Sequence, residues 1–171
     1  NNTLTPYKGM EKRELILFPH RIAPEKQVEI FRDLAVHLPQ YEFVVCQDKQ
    51  LTKNEYHNLL GEAKMVFSAN LQETLGISCY EGAVVDAIPF VPDRLSYTEM
   101  YFPIFKYPSK WTESWESYEI HRRDVCMYIM QHMDNYKTRL PHIRQQAINL
   151  HGISFSATKL IENLKLIDNK A

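Results

Sequence analysis

Residues 68–81 read S-A-N-L-Q-E-T-L-G-I-S-C-Y-E, and the fold of the chain is organised around this stretch. The apolar run Met65–Phe67 comes directly before it and predicts a buried strand. A helix is predicted to begin near Ile77 and to continue through Val85. The order is therefore strand, polar loop, glycine and helix start. Such a turn directs backbone N–H groups and the positive end of a helix to one place, which suits a phosphate group.

Two carboxylates flank this turn, Glu73 and Glu81. A carboxylate does not bind a phosphate, but it accepts hydrogen bonds from sugar hydroxyls. A phosphate flanked by two hydroxyl-bearing rings is the outline of a nucleotide-sugar. The alternative is that this turn and its carboxylates have only a structural role, because a strand, a loop and a helix with scattered acids occur in most α/β domains.

The rest of the chain alternates between predicted strands and predicted helices. Apolar residues recur at three- and four-residue steps between Pro24 and Leu38, which predicts an amphipathic helix. A second helix is predicted over Leu51–Glu62, with Thr52 as its N-cap. Further strands are predicted at Leu15–Phe18, Glu42–Cys46 and Ile88–Val91. This alternation predicts an α/β fold with a Rossmann-like, doubly wound parallel sheet.

The carboxyl-terminal third is predicted to be mainly helical. One helix is expected over Glu116–Asn135, and His121 and His132 on it are expected at the surface or its boundary rather than as ligands. Pro141 is expected to open a separate helix that Gly152 ends, and a last helix is expected from Phe155.

Length and composition narrow the class of protein. The 171 residues are enough for one domain, expected at 14–171 after a linker or tail at 1–13. The chain has 20 lysine and arginine residues and 21 aspartate and glutamate residues, which gives a net charge of 20 minus 21, or −1. A free-standing nucleic-acid binder would usually carry an excess of basic residues. No apolar run approaches the ~20 residues that span a membrane, and the polar first residues do not resemble a signal peptide. Three widely spaced cysteines form no metal-ligand cluster and indicate a reduced, cytoplasmic protein.

A second anion-binding signal follows the first predicted strand. Arg21 lies in the loop after that strand, and Lys26 follows near the start of the next helix. Cations are disfavoured at a helix N-terminus, so two of them there favour an anion as a ligand. The alternative is a pair of solvated surface charges.

Three segments resemble one enzyme family. The segment E-T-L-G-I-S-C-Y-E-G, from Glu73, resembles the Glu-x7-Glu signature of retaining glycosyltransferases of the GT-B fold, whose common form is E-x-F-G-x-x-x-x-E-A. The segment P-H-R-I-A-P-E-K-Q is similar to the family's G-R-x-x-x-x-K, with His20 in place of the usual glycine. Ala87–Val91 resembles its G-x-P-V-V strand. The resemblance implies that residues 14–166 are the carboxyl-terminal, sugar-donor-binding half of a GT-B fold.

The resemblance also implies roles for the matching residues. Glu73 would contact hydroxyls of the transferred sugar, and Glu81 would hold the ribose hydroxyls. Arg21 and Lys26 would neutralise the diphosphate as it leaves, in place of a metal ion. The phosphates would lie on backbone N–H groups around Thr74, Leu75 and Gly76. No cofactor is implied, since the UDP-, GDP- or ADP-sugar is a substrate.

The resemblance leaves the acceptor open. It implies an amino-terminal GT-B domain outside this chain, which would bind a glycan, a lipid or a modified nucleobase. Pro92–Glu99 resembles the branch that glycosylates the queuosine base of tRNA, although a capped helix on the sheet edge explains this pattern equally well. Two alternatives to a glycosyltransferase are a sugar-nucleotide epimerase of GT-B fold and a non-catalytic α/β interaction module.

Overall fold

The structure, a computed structural model, describes residues 4–72 and 76–170, with side chains described as far as residue 153. Five strands of this part form one parallel sheet in the order β2-β1-β3-β4-β5. They are β1 (Arg13–Phe18), β2 (Glu42–Val45), β3 (Ala63–Phe67), β4 (Ile88–Pro92) and β5 (Lys106–Tyr107). The helices are α1 (Val28–His37), α2 (Lys53–Glu62), α3 (Ile77–Val84), α4 (Tyr97–Met100), α5 (Trp115–Asp134) and α6 (Tyr136–Lys170). The predicted α/β, Rossmann-like fold is confirmed.

The strand order places one topological switch point in the sheet. The chain goes from β1 outward to β2, and then returns past β1 to form β3 on its other side. Ligands of open parallel sheets bind outside the carboxyl ends of the strands where the order reverses in this way. The loops that follow β1 and β3 therefore border the expected ligand position.

The core explains why the central strands are continuous apolar runs. Leu15–Phe18 in β1 are fully buried, as strands covered by helices on both faces require. A row of aromatic rings crosses the sheet, with centroid distances of 5.5 Å from Phe31 to Phe67, 5.9 Å from Phe67 to Phe90 and 4.7 Å from Phe90 to Tyr107. The row includes Phe67 and Tyr107, the last residues of β3 and β5.

Residues 4–12, expected as part of a linker or tail, pack against the domain. Leu4 is fully buried, and the Tyr7 ring meets the His57 ring edge-on at 5.6 Å. A Cβ on Gly61 in α2 would lie only 3.0 Å from the carbonyl oxygen of Tyr7. The segment is therefore part of the folded body.

The carboxyl-terminal helices differ from the prediction in two ways. α6 continues through Pro141 and Gly152, where a new helix and a helix end were predicted. A proline within a helix removes one backbone hydrogen bond, and a glycine lowers helix stability by only ~1 kcal/mol, so neither must end the helix. His132 is fully buried rather than at the surface, with its ring 4.5 Å from that of Tyr128.

Within the described residues, no helix is both long and apolar enough to cross a bilayer.

Candidate functional site

A cleft of about 400 Å³ lies at the carboxyl ends of β1 and β3, at the topological switch point. The loop after β1 forms one wall, and the first turn of α3 forms the other. The described residues that line it are Pro19, His20, Arg21, Lys26, Gly76, Ile77 and Ser78. Three of the seven predicted site residues, Arg21, Lys26 and Gly76, are thus brought to one cleft.

Gly76 marks the start of the helix wall. Its φ of +65° is left-handed, a conformation that glycine adopts without the strain of a side chain. A Cβ at this position would also lie 3.3 Å from Cε1 of Tyr97. The first N–H groups of a helix have no partner within the helix, so the start of α3 can bind an anion. Glu73, Thr74 and Leu75 lie outside the described residues, so their predicted roles stay predictions.

The two cations reach the cleft from the opposite loop. The Arg21 side chain is 74% exposed, and its contact with Glu25, at 3.5 Å, is a long one. Lys26 ends a short 3-10 turn over Pro24–Lys26, directly before Gln27. Gln27 has a left-handed φ of 54° and turns the chain into α1. The cleft therefore combines two positive side chains with a helix N-terminus.

Hydrogen bonds fasten the loop after β1 to the loop after β3. His20 Nε2 lies 2.9 Å from the carbonyl oxygen of Phe67, and the Gln27 amide donates to the carbonyl of Ala69 at 2.8 Å. The Leu71 N–H donates to the Glu25 carbonyl at 2.8 Å. These bonds fix the loop after β1, one wall of the cleft, to the end of β3 and the residues that follow it.

Arg94 secures the loop after β3 from the other side. Its guanidinium donates to the carbonyl oxygens of Ala69 at 2.9 Å and Asn70 at 2.7 Å, and to those of Ser109 and Thr112. The Tyr107 hydroxyl donates to the Ser68 carbonyl at 2.6 Å. Arg94 lies within Pro92–Glu99, the segment that resembles one branch of the family, but nothing in that pattern indicates that it binds this loop.

Glu81 occupies a different position from the other predicted site residues. It lies on α3, one turn beyond Ser78, and is absent from the described lining of the cleft. Its Oε2 is 3.7 Å from Nε2 of the buried His57. Burial raises the pKa of Glu81 above its ordinary value, and the nearby His57 opposes that rise. Its predicted role at a ribose stays a prediction.

A second cleft, of about 550 Å³, adjoins the first at the carboxyl ends of β1 and β2. Pro19, His20 and Arg21 line both clefts. The second cleft is completed by Cys46, Gln47, Gln50, Leu51 and Tyr56. The two clefts therefore meet along one wall, the loop that follows β1.

Two titratable groups on these walls are held neutral at pH 7. Burial lowers the pKa of His20 to about 4, against the opposing effect of its bond to Phe67. Burial likewise raises the pKa of Cys46 to about 11, so this thiol is a poor nucleophile. Within the described residues, no cluster of three or more His, Cys, Asp or Glu side chains could hold a metal ion. Two cations and a helix N-terminus line the first cleft, an arrangement that suits an anion.

A cavity of about 450 Å³ between α3 and α6 is a weaker candidate. It is lined by Lys8 and Arg144, but Arg144 lies 3.4 Å from Asp86, which offsets its charge, and the lining includes the apolar Ala83 and Ile148. It lies on the helix layer, away from the carboxyl ends of the strands. The switch-point clefts therefore remain the better site.

The structure is a Rossmann-like α/β domain whose switch-point cleft is lined by Arg21, Lys26 and the start of α3. No protein-family model matches the chain, and no curated protein is significantly similar to it.

Proposed function

We propose that this domain binds the sugar donor of a retaining, metal-independent glycosyltransferase, a nucleoside diphosphate sugar. The diphosphate would lie in the 400 Å³ cleft, and the nucleoside would extend into the adjoining 550 Å³ cleft. The domain would be the carboxyl-terminal half of a GT-B enzyme, whose acceptor domain lies outside this chain.

The observation that carries the proposal is the convergence of Arg21, Lys26 and the start of α3 on one cleft. These groups come from two loops separated in the sequence by about fifty residues, from Lys26 to Gly76, and the fold brings them together. A diphosphate carries charge that two cations and a helix N-terminus would offset. The adjoining cleft gives room for the rest of a nucleotide.

The proposed mechanism is electrostatic. When the bond between sugar and diphosphate breaks, negative charge develops on the leaving oxygen. Arg21 and Lys26 would stabilise this charge in the transition state more than in the bound substrate. Glu73 would contact the transferred sugar. The amino-terminal GT-B domain, outside this chain, would bind the acceptor, which is a glycan, a lipid or a modified nucleobase.

Titration calorimetry with UDP, GDP and ADP tests the proposal directly. We expect one of these nucleotides to bind the wild-type domain, and Lys26→Ala to weaken that binding roughly tenfold or more by removing a charged contact. Lys137→Ala is the matched control, because the exposed Lys137 lines a cavity at the other end of the sheet.

Each result has a clear meaning. Equal loss of affinity in both lysine variants would indicate a general charge effect rather than a phosphate site. If none of the three nucleotides binds the wild-type domain, the proposal is overturned for this domain, and the interaction-module alternative gains support.

The three free cysteines fit the reducing cytoplasm that we propose as the location of the protein.

A further inference from the structure

His20 stands on the wall that the two clefts share. It lines the cleft that contains Arg21, Lys26 and Gly76, and it also lines the cleft that contains Gln47, Gln50 and Tyr56. The side chain is 9% exposed, and its ring packs edge-on against Phe18 at a centroid distance of 5.0 Å. The position of the imidazole is therefore fixed by the core beneath it.

One hydrogen bond determines which ring nitrogen of His20 carries the proton. Nε2 lies 2.9 Å from the carbonyl oxygen of Phe67, and a carbonyl can only accept. Nε2 must therefore be the protonated nitrogen. In the neutral ring Nδ1 is then a hydrogen-bond acceptor, and the described residues give it no partner. Because the pKa of His20 is lowered to about 4, the ring keeps this form at pH 7.

We infer that His20 Nδ1 accepts a hydrogen bond from a ribose hydroxyl of the bound nucleotide, at the boundary between the diphosphate cleft and the nucleoside cleft. This inference rests on the proposed function. A lone pair repels a phosphate oxygen and attracts a hydroxyl, so His20 would separate the charged part of the ligand from the sugar ring. Glu81, to which the family resemblance assigns the ribose, lies 3.7 Å from His57 and is absent from the described lining of both clefts.

Two substitutions separate the two nitrogens of His20. In His20→Gln the side-chain amide N–H₂ can take the place of Nε2 and keep the bond to Phe67, while the acceptor at Nδ1 is lost. In His20→Asn the side-chain oxygen can take the place of Nδ1, while the bond to Phe67 is lost. Thermal unfolding of both variants checks that each is folded before binding is measured.

The ligands are the nucleoside diphosphate that binds the wild-type domain, its 2′-deoxy and 3′-deoxy analogues, and inorganic pyrophosphate. We expect His20→Gln to weaken binding of the nucleoside diphosphate roughly five- to tenfold, which is the effect of one lost hydrogen bond. His20→Asn should retain more of the affinity than His20→Gln. One deoxy analogue should bind the wild type and His20→Gln equally well, and pyrophosphate should be insensitive to His20→Gln.

The outcomes distinguish this inference from the proposed function. If the wild type binds a nucleoside diphosphate and His20→Gln binds it equally well, the role of His20 is overturned and the proposed function stands. If His20→Gln weakens binding of pyrophosphate as much as binding of the nucleotide, His20 only maintains the conformation of the loop. That result also overturns the inference. If the wild type binds no nucleotide, both proposals fail together.

Discussion

Arg94 holds a positive charge among neutral acceptors. Its guanidinium donates to backbone carbonyls of the loop after β3 and of residues 109–112, and no ion pair with a carboxylate is found for it in the described residues. Burial lowers its pKa below the ordinary arginine value. A planar fork of five donors fits this arrangement, and the three donors of a lysine do not.

We therefore expect Arg94→Lys to lower the free energy of unfolding by about 2–4 kcal/mol, because buried carbonyl oxygens lose their partners. Urea denaturation measures the change. The matched control is Arg32→Lys at the exposed pair with Asp48, where the two side chains are 50% and 46% exposed. A solvent-exposed ion pair contributes about 0–1 kcal/mol, so equal effects in the two variants would contradict the role given to Arg94.

At the scale of elements, the position of α3 depends on how closely it approaches β3. A Cβ on Gly82 would lie 2.6 Å from Cγ2 and 3.3 Å from Cβ of Val66. Valine is branched at Cβ and has little rotamer freedom to move away, so the helix itself would have to shift. The same helix forms one wall of the cleft at its first turn.

Gly82→Ala is accordingly expected to lower the free energy of unfolding by about 1–3 kcal/mol, the usual range for overpacking a core. Gly152→Ala in α6 is the matched control. It has no described atom within 4 Å of the added Cβ and should stabilise by up to ~1 kcal/mol through helix propensity. Denaturation of both variants gives the comparison. A stabilised Gly82→Ala would show that α3 packs less tightly on the sheet.

The ends of elements show what the sequence can and cannot determine. Thr52 was predicted as an N-cap, and its Oγ1 accepts from the Glu55 N–H at 3.2 Å in a full capping box, because this signal is local. Pro141 and Gly152 are also local signals, but α6 continues through both, because neither a proline nor a glycine must end a helix. The burial of His132 could not be predicted, since it depends on the rings of Phe90 and Phe105, which come from other elements.

At the scale of the whole molecule, the alternation of strands and helices was sufficient to predict the parallel sheet. The approach of Lys26 to Gly76 was also predictable, because parallel strands end at the same edge of a sheet. The contact of Glu81 with His57 was not, because it depends on how α2 and α3 pack. Sequence therefore predicted the position of the cleft better than the orientation of the side chains around it.

The last prediction concerns a protein that carries both lobes of the proposed enzyme. Release of free nucleoside diphosphate from the sugar donor, measured in the presence of acceptor, should fall about a hundredfold or more in Lys26→Ala, because one group that stabilises the leaving charge is removed. Lys137→Ala should keep its turnover. The sugar donor's dissociation constant should change less than turnover does, since the charge that Lys26 offsets is greatest in the transition state. Near-normal turnover in Lys26→Ala would contradict the catalytic role, and rapid nucleotide release without any acceptor would favour an epimerase instead.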